Sequence, residues 1–193
     1  MMKIKKEMLG IVLGVLLAGC SSMKVSSDYD RSANFSGLKT YDWVSQAQPK
    51  TGDSRLDSDI LNSRIRQAVE NQLRLKGYQK ATSSSPDFQI AYMASIEQKL
   101  DVSTFHYDYT YPGYYYPRRG FGDPFYSGVP RSETYVDQYD EGTLLLDIVN
   151  PQTKKLIWRG TAVDTIQKTD SPENREKRIN EAVADMLQKF PPQ

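Results

Sequence analysis

Residues 88–102 read FQIAYMASIEQKLDV, and their alternation decides the fold. Phe88, Ile90, Tyr92, Ala94, Ile96, Leu100 and Val102 fall on one face of an extended chain, with Gln98 the exception. Asp87, Gln89, Ser95, Glu97, Lys99 and Asp101 fall on the other. Successive side chains of a strand point to opposite faces, so this period of two marks a strand with one buried and one wet face. The pattern fits an antiparallel sheet better than a parallel sheet covered on both sides. One face of the sheet therefore needs a cover.

Two segments are patterned to supply it. Leu56, Ile60, Leu61, Ile65, Ala68, Val69 and Leu73 recur at three- and four-residue spacing, which predicts an amphipathic helix over residues 54–76. Gly77 ends it, where a left-handed cap residue costs least. Ser171-Pro172-Glu173 combines a capping hydroxyl, a first-turn proline and a first-turn acid, and so starts a second helix. Its stripe is Ile179, Ala182, Val183, Met186, Leu187 and Phe190, and Pro191-Pro192 stops it. Further strands are expected over residues 25–30, 38–44, 143–149 and 155–166, the last two joined by a turn at Asn150-Pro151-Gln152-Thr153-Lys154. The expected fold is α+β: a mostly antiparallel sheet with two amphipathic helices packed on one face, a two-layer sandwich formed by a single domain over residues 25–193.

The start of the chain carries an address. Lys3, Lys5 and Lys6 form a basic region and residues 8–18 a short apolar one, the pattern of a secretory signal. As a helix this apolar run reaches roughly half of a ~30 Å hydrocarbon core, too short to span it. Leu17-Ala18-Gly19-Cys20 then places the only cysteine of the 193 residues at a small-residue cleavage site. The run resembles the bacterial lipobox, which implies cleavage of residues 1–19, diacylglycerol on Cys20, and a lipidated tether over residues 20–24. Ser21 stands where an aspartate would signal inner-membrane retention, so the resemblance implies the outer membrane, facing the periplasm. The covalent lipid on Cys20 is the only cofactor-like group expected. A membrane is the first expected partner.

Composition narrows the rest. The full chain carries a net charge of +1, and loss of three lysines and Glu7 with residues 1–19 takes it to −1. Nearly neutral and without a basic stripe, the chain lacks what phosphate neutralisation requires, which sets nucleic acid aside. With Cys20 consumed by lipid no intrachain disulfide is available, so packing alone must stabilise the domain.

Residues 105–126 hold ten of the 21 aromatic residues, in a Tyr/Pro/Gly-rich loop expected at about residues 103–133. Phe105, Tyr107, Tyr109, Tyr111, Tyr114, Tyr115 and Tyr116 are candidates for a ligand or partner surface, for an envelope protein or a glycan, because aromatic faces with polar tips bind at low entropic cost. The alternative is a low-complexity insertion whose first half extends a hairpin edge.

Catalytic patterns are sparse. His106, the single histidine, lies in the aromatic loop, a poor place for a preorganised base. Asp28 and Asp30 share a strand face but lack the glycine turn and distal acid of a calcium loop, so solvated carboxylates are expected and no metal site. Asp147 and Asp164 are candidates for buried ion pairs, with Arg159 as a partner, and Gly160 is expected to permit a bulge. A non-catalytic binding or assembly role is therefore the first reading. A carboxylate-dependent envelope hydrolase or glycan-modifying enzyme is the alternative.

Several short motifs occur together in order: Asp28-Tyr29-Asp30, FSGLKTYDW at 35–43, Lys76-Gly77-Tyr78, Pro86-Asp87-Phe88, Glu141-Gly142-Thr143-Leu144 with Asp147, and KLIWRGT at 155–161. Over about residues 25–192 they resemble the bacterial lipoproteins called domain of unknown function 4136. The resemblance implies an envelope lipoprotein and no established activity.

Overall fold

The computed structural model describes residues 23–45, 50–82, 85–107, 131–167 and 169–192. In chain order they form β1 (Lys24–Tyr29), β2 (Thr40–Trp43), α1 (Asp59–Leu75), β3 (Gln79–Lys80), β4 (Phe88–Tyr107), β5 (Arg131–Val149), β6 (Leu156–Ile166) and α2 (Pro172–Gln188). The strands make one six-stranded sheet in the order β1-β6-β5-β4-β2-β3.

The α+β class holds, but the sheet is mixed rather than mostly antiparallel. β1, β6, β5 and β4 pair antiparallel, whereas β2 runs parallel to both of its neighbours, β3 and β4. The cause is α1, which carries the chain back to the start of β2, so that β3 sets off in the same direction. Alternation in a sequence reports a half-buried face; it does not report the direction of a neighbour.

The helices share the sheet face anticipated from the alternation. Tyr41, Trp43, Phe88, Ile90, Leu146, Ile148 and Trp158 turn towards the buried stripes of α1 (Ile65, Ala68, Val69, Leu73) and α2 (Ala182, Val183, Met186, Leu187). Ser58 and Ser171 cap the two helices, and Gly77, at φ 88°, reverses the chain after α1. α1 begins at Asp59 rather than at 54 because Asp53 and Asp57 hold the preceding turns. Asp57 accepts the backbone N–H groups of Thr51 and Gly52, and Asp53 that of Arg55. Such side-chain bonds compete with the helical pattern.

Side-chain size falls along the covered face. At one end Phe190, fully buried after α2, touches Trp158, Phe88 and Tyr78 at ring-centroid distances of 5.3, 5.7 and 5.7 Å. Towards the other end β4 presents Ala94, β5 Gly142 and β6 Gly160 and Ala162. Gly160 lies in regular register opposite Leu146 and Ser27, so it makes no bulge; the register shift falls at Ile148/Val149. Its small size is needed because a Cβ there would stand 2.6 Å from the Trp158 ring and 3.1 Å from Met186.

β4 and β5 are longer than their sequence patterns. Residues 103–107 and 131–133, expected in the aromatic loop, are strand. Residues 108–130, with Tyr109, Tyr111, Tyr114, Tyr115 and Tyr116, lie outside the described residues, as do Cys20 and the signal segment. Lys24, expected in the tether, already belongs to β1.

Candidate binding cleft

Where the side chains of the sheet become small, the helices no longer meet it, and a cleft of about 400 Å³ opens. Ala94, Leu144 and Ala162 form its floor, and Leu61, Ile65 and Ile179 its roof. Gly142 lets Ile166 lie across the strand, since a Cβ at Gly142 would stand 2.9 Å from Ile166 Cδ1. The walls are thus mainly aliphatic.

The carboxylates that line the cleft, Asp140, Asp164 and Asp170, are each paired with an arginine. Asp140 is 8% exposed and accepts from Arg55 Nη1 at 2.9 Å. A buried carboxylate is costly unless paired, and here the pairing group is itself held in place. Asp53 grips the other side of the Arg55 guanidinium, at 3.0 Å from Nε and 2.6 Å from Nη2. This hydrogen bonding, led by Asp53, raises the arginine further above its ordinary range. Across the cleft, Arg178 donates to Asp164 and to the Thr165 carbonyl, each at 2.8 Å, and lies 3.3 Å from Asp170. A cleft with aliphatic walls and two oriented ion-pair clusters can hold an apolar or amphipathic segment and fix its direction.

The residues singled out from the sequence scatter. Asp147 pairs with Arg159 through two 2.6 Å bonds, but the pair is partly exposed on the open face of the sheet rather than buried, and lies away from the cleft. Asp164 joins the cleft through Arg178 rather than Arg159. Asp28 and Asp30 are exposed and bind locally, to the Tyr29 N–H and to Ser32. Phe105 is exposed on β4 and meets Tyr135 edge to face at 5.9 Å. His106 and Tyr107 stand in β4 opposite Ser132 and Arg131. Among the described residues no group of three or more His, Cys, Asp or Glu is placed to hold a metal ion.

Asp140 and Arg55 were not anticipated. Asp140 was legible, because the inward series Ile148, Leu146, Leu144, Gly142 continues to it by steps of two. Arg55 lies in a turn 85 residues away, and nothing in the local pattern joins it to that series.

The chain belongs to the family described as Domain of unknown function (DUF4136), whose model matches residues 25–192. No curated protein matches it. Among solved structures it is similar to a PDZ domain protein from Parabacteroides distasonis, with a TM-score of 0.52 at 12% identity. That match covers 89% of this chain and 36% of the other, so the chain spans about a third of that protein's length. Two PelC dodecamer structures from Paraburkholderia phytofirmans match at 8% and 11% identity, each with a TM-score of 0.43 and covering 86% of this chain and 94% of theirs. At 12% identity the likeness to the PDZ domain protein concerns fold alone.

Proposed function

We propose that the protein is a lipid-anchored lipoprotein of the bacterial cell envelope, held at Cys20 in the outer membrane on its periplasmic side, with a non-catalytic domain that binds an apolar segment of another envelope component. The observation that carries the anchor is Leu17-Ala18-Gly19-Cys20 behind a basic and then apolar start. Two or three acyl chains on one residue hold a protein stably where one chain does not. Among the described residues no helix is long and apolar enough to cross a membrane.

The cleft supports binding over catalysis. Its carboxylates, Asp140, Asp164 and Asp170, are each engaged by a guanidinium, and its walls are mainly aliphatic. A glycan-cleaving site instead needs two carboxyl groups flanking the bond to be broken. The anchor is tested by growing cells that express the parent or Cys20→Ser with labelled palmitate. The parent is expected to take up label, and the serine variant to remain unlabelled and to keep residues 1–19. Equal labelling of both would overturn the anchor.

A further inference from the structure

The walls of the cleft suit a chain that has no polar groups of its own. At the floor Ala94 pairs with Leu144 and Leu144 with Ala162, so the strands bond in the plane of the sheet and turn only side chains into the cleft. The roof comes from α1 and α2, whose backbone groups are spent within the helices. An extended peptide between these layers would bury N–H and C=O groups without partners, which is costly. A peptide helix satisfies its own backbone, but a single turn of it, about 5.4 Å of a cylinder about 10–12 Å across, already takes up such a volume. A hydrocarbon chain meets neither difficulty.

The volume of about 400 Å³ sets the size of that chain. At roughly 30 Å³ per group, the share of a water in the liquid and close to that of a methylene, it takes on the order of a dozen carbons. Along β5 the lining runs from Asp140 to Leu144, four steps or about 13 Å. A fatty acyl chain reaches about that far, since two of them end to end make up a ~30 Å hydrocarbon core. There is room for one chain, so a phospholipid would leave its second chain without a place.

The mouth selects the head. Of the three arginines that line the cleft, Arg55 is held by Asp53 and Asp140, and Arg178 by Asp164 and Asp170. Arg175, exposed near the start of α2, has no carboxylate partner among the described residues. One planar guanidinium matches the two oxygens of one carboxylate. We propose that the cleft binds a long-chain fatty acid, its chain between Ala94 and Leu144 below and Leu61 and Ile179 above, and its carboxylate at Arg175. This names the class of apolar segment in the binding reading above and rests on that reading.

The test uses the full-length protein, purified from membranes and reconstituted in vesicles of phosphatidylethanolamine and phosphatidylglycerol. Three probes that carry a diazirine are added in turn: myristic acid, lysophosphatidylglycerol, and an apolar peptide of leucine and alanine. After irradiation, myristic acid is expected to label the peptides that hold Leu61 and Ile179, and excess unlabelled myristic acid to prevent it. Ala94→Phe, which fills the floor, is expected to lose most of this labelling. Arg175→Gln, an exposed change that leaves the fold intact, is expected to need about tenfold more probe for half-maximal labelling. Myristic acid labelling confined to other peptides, or an unchanged concentration dependence in Arg175→Gln, would overturn the proposal. Labelling of the cleft by lysophosphatidylglycerol or by the peptide in place of myristic acid would overturn the fatty acid and leave the binding reading in force. A cleft labelled by none of the three would overturn both.

Discussion

A single carboxylate ties β2 to the start of β4. Asp87 Oδ2 accepts the backbone N–H of Lys39 at 3.0 Å and that of Thr40 at 2.8 Å, together with the Thr40 hydroxyl at 2.8 Å. These bonds, led by the Thr40 N–H, hold the Asp87 carboxyl below its ordinary value. The carboxylate form binds these donors, so the folded state takes up its proton only at lower pH than the unfolded chain does. The stabilisation is complete above the ordinary value of 3.8 and is lost as pH falls through the depressed folded value. Asp87→Asn is expected to lower stability by about 1 kcal/mol at neutral pH. Its urea midpoint should converge on that of the parent as the solution is acidified through this window. A gap between the two that stays constant with pH would show that the carboxylate charge plays no part. Pro86-Asp87-Phe88 stood out in the sequence as a motif, but its role did not, because its partners lie 47 and 48 residues away.

Helix-on-sheet packing is the level at which the sequence was most legible. The stripes of α1 and α2 were visible in spacing, since burial of one helical face leaves a 3.6-residue period, and Gly77 and Ser171 marked helix ends, whereas the Ser58 cap of α1 was not anticipated. Val183 lies at the centre of the α2 stripe and is fully buried, whereas Lys177, on the outer face, reaches only Glu181. Val183→Asp is expected to lower stability by several kcal/mol, through about 1.5–3 kcal/mol of lost apolar burial and the added cost of a buried charge. Lys177→Asp is expected to change it by less than about 0.5 kcal/mol. Denaturant midpoints decide, and equal midpoints for Val183→Asp and the parent would contradict the packing. Less legible were the parallel neighbours of β2 and the full length of β4 and β5. The alternation reads Leu100 and Val102 as buried, but they are exposed because no helix lies over β4 and β5 beyond Glu97, and residues 103–107 and 131–133, which carry no such pattern, read as loop. The position of Gly160 was visible but its reason was not, because the Trp158 ring and Met186 that press on it are brought there by β6 and α2 together.

Across the whole molecule the two ends of the helical layer differ. Phe190, Phe88, Trp158 and Tyr78 close one end, and at the other the cleft opens beside Met23, where the chain enters the fold. Burial at the closed end is complete enough to push the Tyr41 hydroxyl up to about 12. An anchor at Cys20, as proposed above, would bring the open end, with its paired aspartates, near the lipid surface. The individual side chains of the cleft were mostly visible as stripe residues, but the cleft was not, because it arises from a gradient in side-chain size across three strands that are distant in sequence. The proposed address, by contrast, rests on contiguous residues and needs no fold to be read. Its most direct test is the intact mass of the protein extracted from cell membranes. The account predicts a chain that starts at Cys20 and carries a diacylglyceryl group, with or without a further amide-linked acyl chain. A chain that retains residues 1–19, or one that starts elsewhere or bears a free thiol at Cys20, would contradict it.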